Sequence, residues 1–244
     1  MKDEHAELVR LLWGPHPQPA RGPRPKLDLG RIVRVAIGIA DPEGLAEVSM
    51  QRVAARLGVT KMALYRYVPG KSELVALMVD AAIGPYPKAE GRTGGWRDRL
   101  EEWAHRLFEV FRRHPWALDA AVGPRIMGPG ELSWMEYAVS ALDGTGLSGA
   151  ERMDAAALLV NHVRGIAHQA HAAGPSGAPE TQLAVFLGDL MHVHGERFPA
   201  LAEALASAAR DAGQDQAWEF GLRRVLDGLA VLVDERTGRP DPGP

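Results

Sequence analysis

Hydrophobic residues recur every three or four positions along most of the chain, which is the spacing of helices that bury one face. Past residue 95 this spacing predicts helices over residues 96–113, 129–142, 148–173, 180–194 and 217–235. The sequence has no long alternating run of β-branched residues, the pattern typical of strands. The periodicity therefore predicts an all-α fold.

The N-terminal third divides into shorter helices. One is predicted over residues 4–13, and a second runs from residue 27 until the sequence DPEG stops it. Ser49 is a suitable N-cap for a third helix that ends at Gly58. The next helix is predicted over residues 60–67, where Pro-Gly ends it, and another runs from residue 71 to 83.

The helices predicted at residues 49–58 and 60–67 are joined only by Gly58 and Val59. So short a connection suits two helices that cross steeply, as in a helix-turn-helix. Ala54 allows a close approach of the helices, and Gly58 can adopt positive φ in the turn. The spacing thus predicts a helix-turn-helix in the N-terminal third.

Charge is unevenly distributed along the chain. The net charge is −3, yet residues 21–71 contain ten Lys and Arg against four Asp and Glu. A basic segment on an acidic remainder favours a polyanionic partner for that segment. The proline-rich residues 14–26 lead into this segment, and we interpret them as an extended basic arm.

Residues 49–80, SMQRVAARLGVTKMALYRYVPGKSELVALMVD, resemble the TetR family of bacterial transcription repressors, above all in LGVT, ALYRYV and GKSEL. Residues 96–116 and 160–169 resemble the ligand-binding half of the tetracycline-repressor branch. The resemblance implies a three-helix DNA-binding domain and a larger helical domain for ligand binding and dimerisation. The expected divisions are an extension and arm at residues 1–26, the DNA-binding domain at 27–84, the ligand-binding and dimerisation domain at 85–236, and a disordered tail at 237–244.

The resemblance also implies which side chains face double-stranded DNA. Lys61 and Met62 begin the recognition helix, where side chains reach base edges, and Ala63 can pack on a thymine methyl. Phenol hydroxyls and cations nearby suit phosphates. The predicted DNA-binding residues of the helices are Gln51, Arg52, Lys61, Met62, Ala63, Tyr65, Arg66, Tyr67 and Lys71. For Arg66, a phosphate contact and a plain surface position both remain open.

The arm supplies three further basic residues, Arg21, Arg24 and Lys26. They are predicted to touch phosphates or the adjacent minor groove. The arm could equally be a solubilising linker.

The acidic remainder contains candidates for a small-molecule pocket, which requires an apolar cavity with a few placed polar groups. The predicted ligand-binding residues are Trp103, Leu107, Phe111, Trp134, Tyr137, Asn161, Arg164 and His168. Each aromatic residue alone is more often part of a core. By resemblance, the helices at residues 151–173 and 217–235 pair with their twins in a homodimer, although they could also fill the core of one monomer.

Other kinds of site find little support in the sequence. It has no cysteine, no Gly-rich phosphate loop, no nucleophile elbow and no zinc signature, so we expect no enzyme activity, no cofactor and no resident metal. A tetracycline-like ligand that carries its own Mg²⁺ stays open. The first residues fit neither a secretory signal nor a membrane span, and we expect a cytoplasmic protein without membrane contact.

The combined interpretation is a homodimeric, ligand-responsive repressor. It would bind a pseudo-palindromic operator and be released by an apolar or amphipathic effector, such as an antibiotic or a secondary metabolite. The alternatives are an architectural DNA-binding protein without an effector and an enzyme with an accessory DNA-binding segment.

Overall fold

The protein is described from a computed structural model, which covers residues 2–14, 27–87, 94–123, 125–174, 179–210 and 217–238. Over these residues the regular structure is helical, so the predicted all-α fold is confirmed. The α-helices of this part of the chain are α1 Lys2–Trp13, α2 Leu29–Glu43, α3 Met50–Leu57, α4 Lys61–Tyr65, α5 Lys71–Ile83, α6 Trp96–Arg113, α7 Trp116–Ala120, α8 Pro129–Ala141, α9 Gly149–Ala172, α10 Pro179–His194, α11 Pro199–Ala208 and α12 Ala217–Thr237.

Helices α2, α3 and α4 form the predicted helix-turn-helix unit. The Ser49 hydroxyl accepts a hydrogen bond from the backbone N–H of Arg52 at 3.2 Å, and Thr60 caps α4 in the same way. Gly58 lies in the left-handed region with φ 68°, as the turn requires. Leu64 is fully buried and fixes α4 against its neighbours.

Helix α4 ends two residues earlier than predicted. The backbone N–H groups of Tyr67 and Val68 both bond to the carbonyl of Leu64, which closes the last turn. Val68 precedes Pro69, and a residue before proline is disfavoured in helical conformation. Tyr67 therefore lies beyond the helix.

Helix α5 connects the helix-turn-helix unit to the remaining helices. It packs on α1 and α2 at one side and on α6, α7 and α8 at the other. Its apolar residues consequently face more than one direction, and Leu74, Leu77 and Met78 are all buried. Helix α5 is therefore packed both against the helix-turn-helix unit and against the larger helical part of the molecule.

The larger part of the molecule is built around α6, which packs on α8, α9 and α12. Trp103 lies at its centre, and its indole N–H donates to the carbonyl of Trp134 at 3.0 Å. Two helices, α7 and α11, were not predicted. Both helices are short and begin next to a proline. Their apolar residues are too few to show a helical periodicity in the sequence.

Helices α10 and α11 form a pair that protrudes from this body. No residue whose burial the structure describes in either helix is buried. Large apolar side chains are exposed along α10, among them Leu183, Phe186, Leu190 and Val193.

Among the described helices, none combines the length and apolarity that crossing a membrane requires.

The N-terminal helix α1 docks on the body rather than standing free. Leu12 is buried, and the indole N–H of Trp13 donates to the carbonyl of Met127 at 3.1 Å. This helix begins two residues before the predicted start at residue 4. Most of the predicted basic arm, with Arg21, Arg24 and Lys26, lies outside the described residues.

Candidate nucleic-acid interface and ligand cavity

The outer face of α4 presents a cluster of exposed side chains. Lys61, Tyr65 and Arg66 are exposed, and Met62 keeps 70% of its surface in solvent. Ala63 is half-buried beside them. A single exposed apolar side chain is ordinary on a protein surface, so the exposure of Met62 makes it available to a contact partner without requiring one.

The cations of this face pair with no carboxylate of the described residues. Lys61 lies with its Nζ 5.5 Å from the ring centroid of Tyr65. Within the described part of the chain, no Asp or Glu forms an ion pair with Lys61, Arg66 or Lys71. These side chains are free to meet phosphates or base edges.

Two predicted DNA-binding residues are engaged within the protein. Arg52 donates to Glu47 at 2.5 Å and to Glu43, and these partners raise its pKa. The Tyr67 hydroxyl donates to the carbonyl of Leu27 at 3.2 Å. Gln51, by contrast, is exposed at the start of α3.

A cavity of about 100 Å³ lies between the end of α5, α6, α8, α9 and the segment that precedes α8. Its lining is mostly apolar and aromatic, with three charged residues. The lining residues are Ile83, Trp103, Leu107, Phe111, Ala121, Arg125, Met127, Glu131, Trp134, Met135, Val160 and Arg164. Five residues predicted from the sequence meet here: Trp103, Leu107, Phe111, Trp134 and Arg164.

Three predicted ligand-binding residues do not line the cavity. Tyr137 stacks on Tyr86 with ring centroids 4.0 Å apart. Asn161 is exposed, because Val160 and Arg164 are the residues of α9 that turn toward the cavity. His168 lies one turn beyond Arg164 and is exposed, with its Nε2 3.6 Å from a carboxylate oxygen of Asp119.

Two charged residues of the cavity were missed by sequence reasoning. Arg125 binds Glu131 through both terminal nitrogens, with Nη1 to Oε1 at 2.7 Å. The side chain of Glu131 is 7% exposed and that of Arg125 is 18% exposed. The Nε–H of Arg125 is buried without an acceptor among the described residues. In the sequence, this pair is visible only as a basic and an acidic residue six positions apart. The residues between them show no helical periodicity that would place the two side chains on one face.

Arg164 is held differently. Its Nη1 donates to the carbonyl of Ala121 at 3.0 Å, and its Nη2 donates to the carbonyl of Leu118 at 2.6 Å. Burial lowers its pKa, and the nearby charge of Arg125 acts in the same direction. The structure shows no carboxylate within ion-pair distance of this guanidinium in the described residues.

The cavity wall is bonded directly to α5. The Asp80 carboxylate accepts the backbone N–H of Glu131 at 3.0 Å, and burial raises the pKa of Asp80. The Trp134 indole donates to the carbonyl of Gly84 at 2.9 Å. Gly130 lies so close to α5 that an added Cβ would stand 2.8 Å from the carbonyl oxygen of Asp80. The cavity wall and α5 are thus in direct, hydrogen-bonded contact.

A larger groove of about 400 Å³ lies on the outside of α8 and α9. It is open to solvent, and Leu132, Glu136 and Met153 of its lining are exposed. Because the groove is open, it is better suited to contact with another protein surface than to enclosing a small molecule. Nor does any group of three His, Asp or Glu come together for a metal ion in the part of the chain that the structure describes.

Two protein-family models match the chain. Residues 32–78 match the model described as bacterial regulatory proteins, tetR family, and residues 87–233 match tetracyclin repressor-like, C-terminal domain.

The chain is similar to the HTH-type transcriptional repressor DrrR1 of Streptomyces coeruleorubidus, with 38% identity over 97% of this chain and 90% of the relative. Two crystal structures of ActR from Streptomyces coelicolor are also similar. Apo ActR has 27% identity and a TM-score of 0.72, covering 87% of this chain and 99% of that chain. The complex of ActR with actinorhodin has 28% identity and a TM-score of 0.72, covering 85% and 98%.

Proposed function

The chain belongs to the TetR family of bacterial regulatory proteins, and on this premise we propose that it represses transcription as a homodimer bound to a pseudo-palindromic operator and is released by a small-molecule effector. In this proposal residues 27–84 bind DNA, while residues 85–236 bind the effector and form the dimer.

The exposed cations of α4 and α5 carry the proposal. Lys61 and Met62 lie at the start of a capped helix whose opposite face is buried through Leu64. A helix held in this way can enter a major groove with its N-terminal residues toward base edges. Tyr65 and Lys71 flank that position and suit phosphate oxygens.

Exposed apolar faces support the homodimer. Helix α9 exposes Met153 and Leu158, and α12 exposes Phe220 and Val231, although both helices also bury another face in the monomer. The α10–α11 pair exposes further apolar side chains. A second copy would cover these surfaces and place two recognition helices on successive turns of DNA.

The bonds between the cavity and α5 support the effector response. A ligand that spreads the cavity wall moves Glu131 and Trp134, which are bonded to Asp80 and Gly84 of the α5 region. Helix α5 begins at Lys71, on the DNA-facing side. A ligand preference of about 1–3 kcal/mol for the DNA-incompetent arrangement is enough for regulation.

Selection of bound fragments from a random DNA pool tests the DNA and dimer parts together. We expect a pseudo-palindrome whose half-sites are centred about 10 base pairs, or a multiple of that, apart. A single half-site would contradict the dimeric operator, and an absence of any enriched sequence would favour the architectural alternative.

A panel of antibiotics and secondary metabolites tests the effector part. We expect a specific compound to raise the melting temperature and to release the selected DNA in a mobility-shift assay. Stabilisation without release would contradict the proposed response.

A further inference from the structure

The charges of the cavity indicate the chemistry of its ligand. We infer that the effector is an amphipathic acid, with a planar apolar body and a carboxylate that pairs with Arg164 and with the free Nε–H of Arg125. This inference rests on the proposed function in taking the cavity as the effector site.

The lining has one carboxylate for two guanidinium groups. Glu131 is bound by both terminal nitrogens of Arg125 and forms no ion pair with Arg164 in the described residues, although its charge still favours the charged form of Arg164. Asp119 keeps 79% of its side chain in solvent. Asp80 is absent from the lining and accepts backbone N–H groups at the start of α8. The described cavity therefore holds an excess of one positive charge.

The two arginines also have donors to spare. A guanidinium has five N–H groups, and within the described residues the terminal nitrogens of Arg164 donate only to two neutral carbonyls. The Nε–H of Arg125 is buried with no acceptor in the described chain. A half-buried cation gains from an anionic oxygen beside it, and the buried Nε–H of Arg125 gains from any acceptor that reaches it.

The remaining walls define the rest of the ligand. Trp103, Phe111 and Trp134 supply aromatic surface, and Met127 and Met135 supply side chains that repack readily. The cavity is partly open to solvent, and its volume of about 100 Å³ is below the range of about 300–1,000 Å³ that drug-sized ligands occupy. A planar acid would have to displace the side chains of Met127 and Met135. Binding of the acid would therefore be coupled to movement of the cavity wall.

Matched pairs of acids and neutral amides test the inference on the full chain. The probes are benzoate, 2-naphthoate and anthracene-2-carboxylate, each compared with its primary amide by isothermal titration calorimetry. We expect at least one acid to bind the wild-type protein tenfold or more tightly than its amide. Equal binding of acid and amide overturns the inference but leaves the cavity as a site for neutral effectors. Absence of binding by every probe also overturns it.

Substitutions locate the preference. In Arg164→Met the acid should bind no more than about threefold more tightly than its amide, whereas Arg164→Lys, which keeps the charge, should retain much of the preference. Arg112→Met is the matched control, because Arg112 is an exposed arginine on α6 that pairs with Glu109. A preference that persists in Arg164→Met, or is lost equally in Arg164→Lys, contradicts the role of the charge. Should Arg164→Met fail to fold, the comparison of acids with amides on the wild type, together with Arg164→Lys, still decides.

The outcome is separable from the proposed function. Selection of operator DNA and its release by the compound panel do not depend on the acid probes. If a neutral compound released the operator while no acid bound, repression by effector release would stand and the inference would fail.

Discussion

The cations of the DNA-facing surface and those of the cavity differ in how they are held. Lys61, Arg66 and Lys71 extend into solvent without a carboxylate partner in the described chain. Arg125 and Arg164 are fixed by Glu131 and by backbone carbonyls. Exposed cations remain hydrated and interchangeable, so each adds little by itself. Arg125 and Arg164 are half-buried and have lost part of their water, so each depends more on its own partners.

This difference sets the expected sensitivity of the two regions. A polyanion is met by many weak contacts, and the loss of one leaves the others in place. In the cavity, the loss of one partner leaves an uncompensated buried charge. The same type of substitution should therefore have unequal effects. Three experiments at charged residues test this, and a fourth tests the contact between the cavity wall and α5.

The largest effect is expected for Arg125→Met, which leaves the buried Glu131 carboxylate unpaired. We expect a loss of about 3 kcal/mol in the free energy of unfolding, measured by urea titration at fixed protein concentration. The double substitution Arg125→Met with Glu131→Leu should recover most of it. Arg112→Met, at an exposed pair, should lose less than about 1 kcal/mol. A similar loss of stability in Arg125→Met and Arg112→Met would contradict the proposed difference between the cations of the cavity and the exposed ones.

The next effect concerns the contact between the cavity wall and α5. Gly130→Ala places a methyl group 2.8 Å from a backbone oxygen of Asp80 and 3.1 Å from the carbonyl carbon of Gly84. We expect a loss of about 2 kcal/mol in stability, together with weaker operator binding. Gly38→Ala on α2 is the control, since its Cβ would meet nothing within 4 Å and alanine favours a helix. Equal stability of the two variants would show that the contact is not tight.

Substitutions on the DNA-facing surface should have smaller and distinguishable effects. Lys71→Ala should weaken binding to all sequences by about 1 kcal/mol and reduce the salt slope by about one. Lys61→Ala should relax discrimination at one base position, by about 1 kcal/mol or more. Mobility-shift titrations on the operator and on single-base variants measure both. A neutral Lys61→Ala would mean that α4 is oriented differently from our proposal.

The smallest effect is expected at an exposed pair that joins α9 to α12. Arg236 donates to Glu151 at 2.5 Å and, together with the Ser148 backbone N–H, lowers the pKa of Glu151 from 4.5 to about 2. Since the pKa is lowered in the folded state, the stabilisation is present above pH 4.5 and disappears as the pH falls toward 2. Arg236→Gln should therefore melt slightly below the wild type at pH 7. A difference that stayed constant down to pH 2 would exclude this pair as its cause.

The sequence predicted those helices whose first and last residues are determined by neighbouring residues in the chain. Helix α5 has its predicted limits because Pro69-Gly70 precedes it and Gly84 ends it. The cap at Ser49 and the turn at Gly58 likewise depend on neighbouring residues only. These local features are the ones that define the helix-turn-helix.

The composition of the cavity depends on contacts between distant segments, and the sequence predicted it in part. Trp103, Leu107 and Phe111 were predicted together because they share a face of α6. Arg125 was missed because its segment has no period, and its pairing with Glu131 follows from how that segment folds back on α8. Asn161 was assigned to the cavity although the inward face of α9 is one residue away.

The bond from Trp13 to Met127 has a mechanical consequence. Met127 lines the cavity, and α1 also packs on α5. Helix α1 therefore contacts the cavity wall at one point and the helix that leads to the helix-turn-helix unit at another. It acts as a brace across this joint: α5 and the segment before α8 cannot move apart unless the hydrogen bond from Trp13 breaks or α1 moves with one of them.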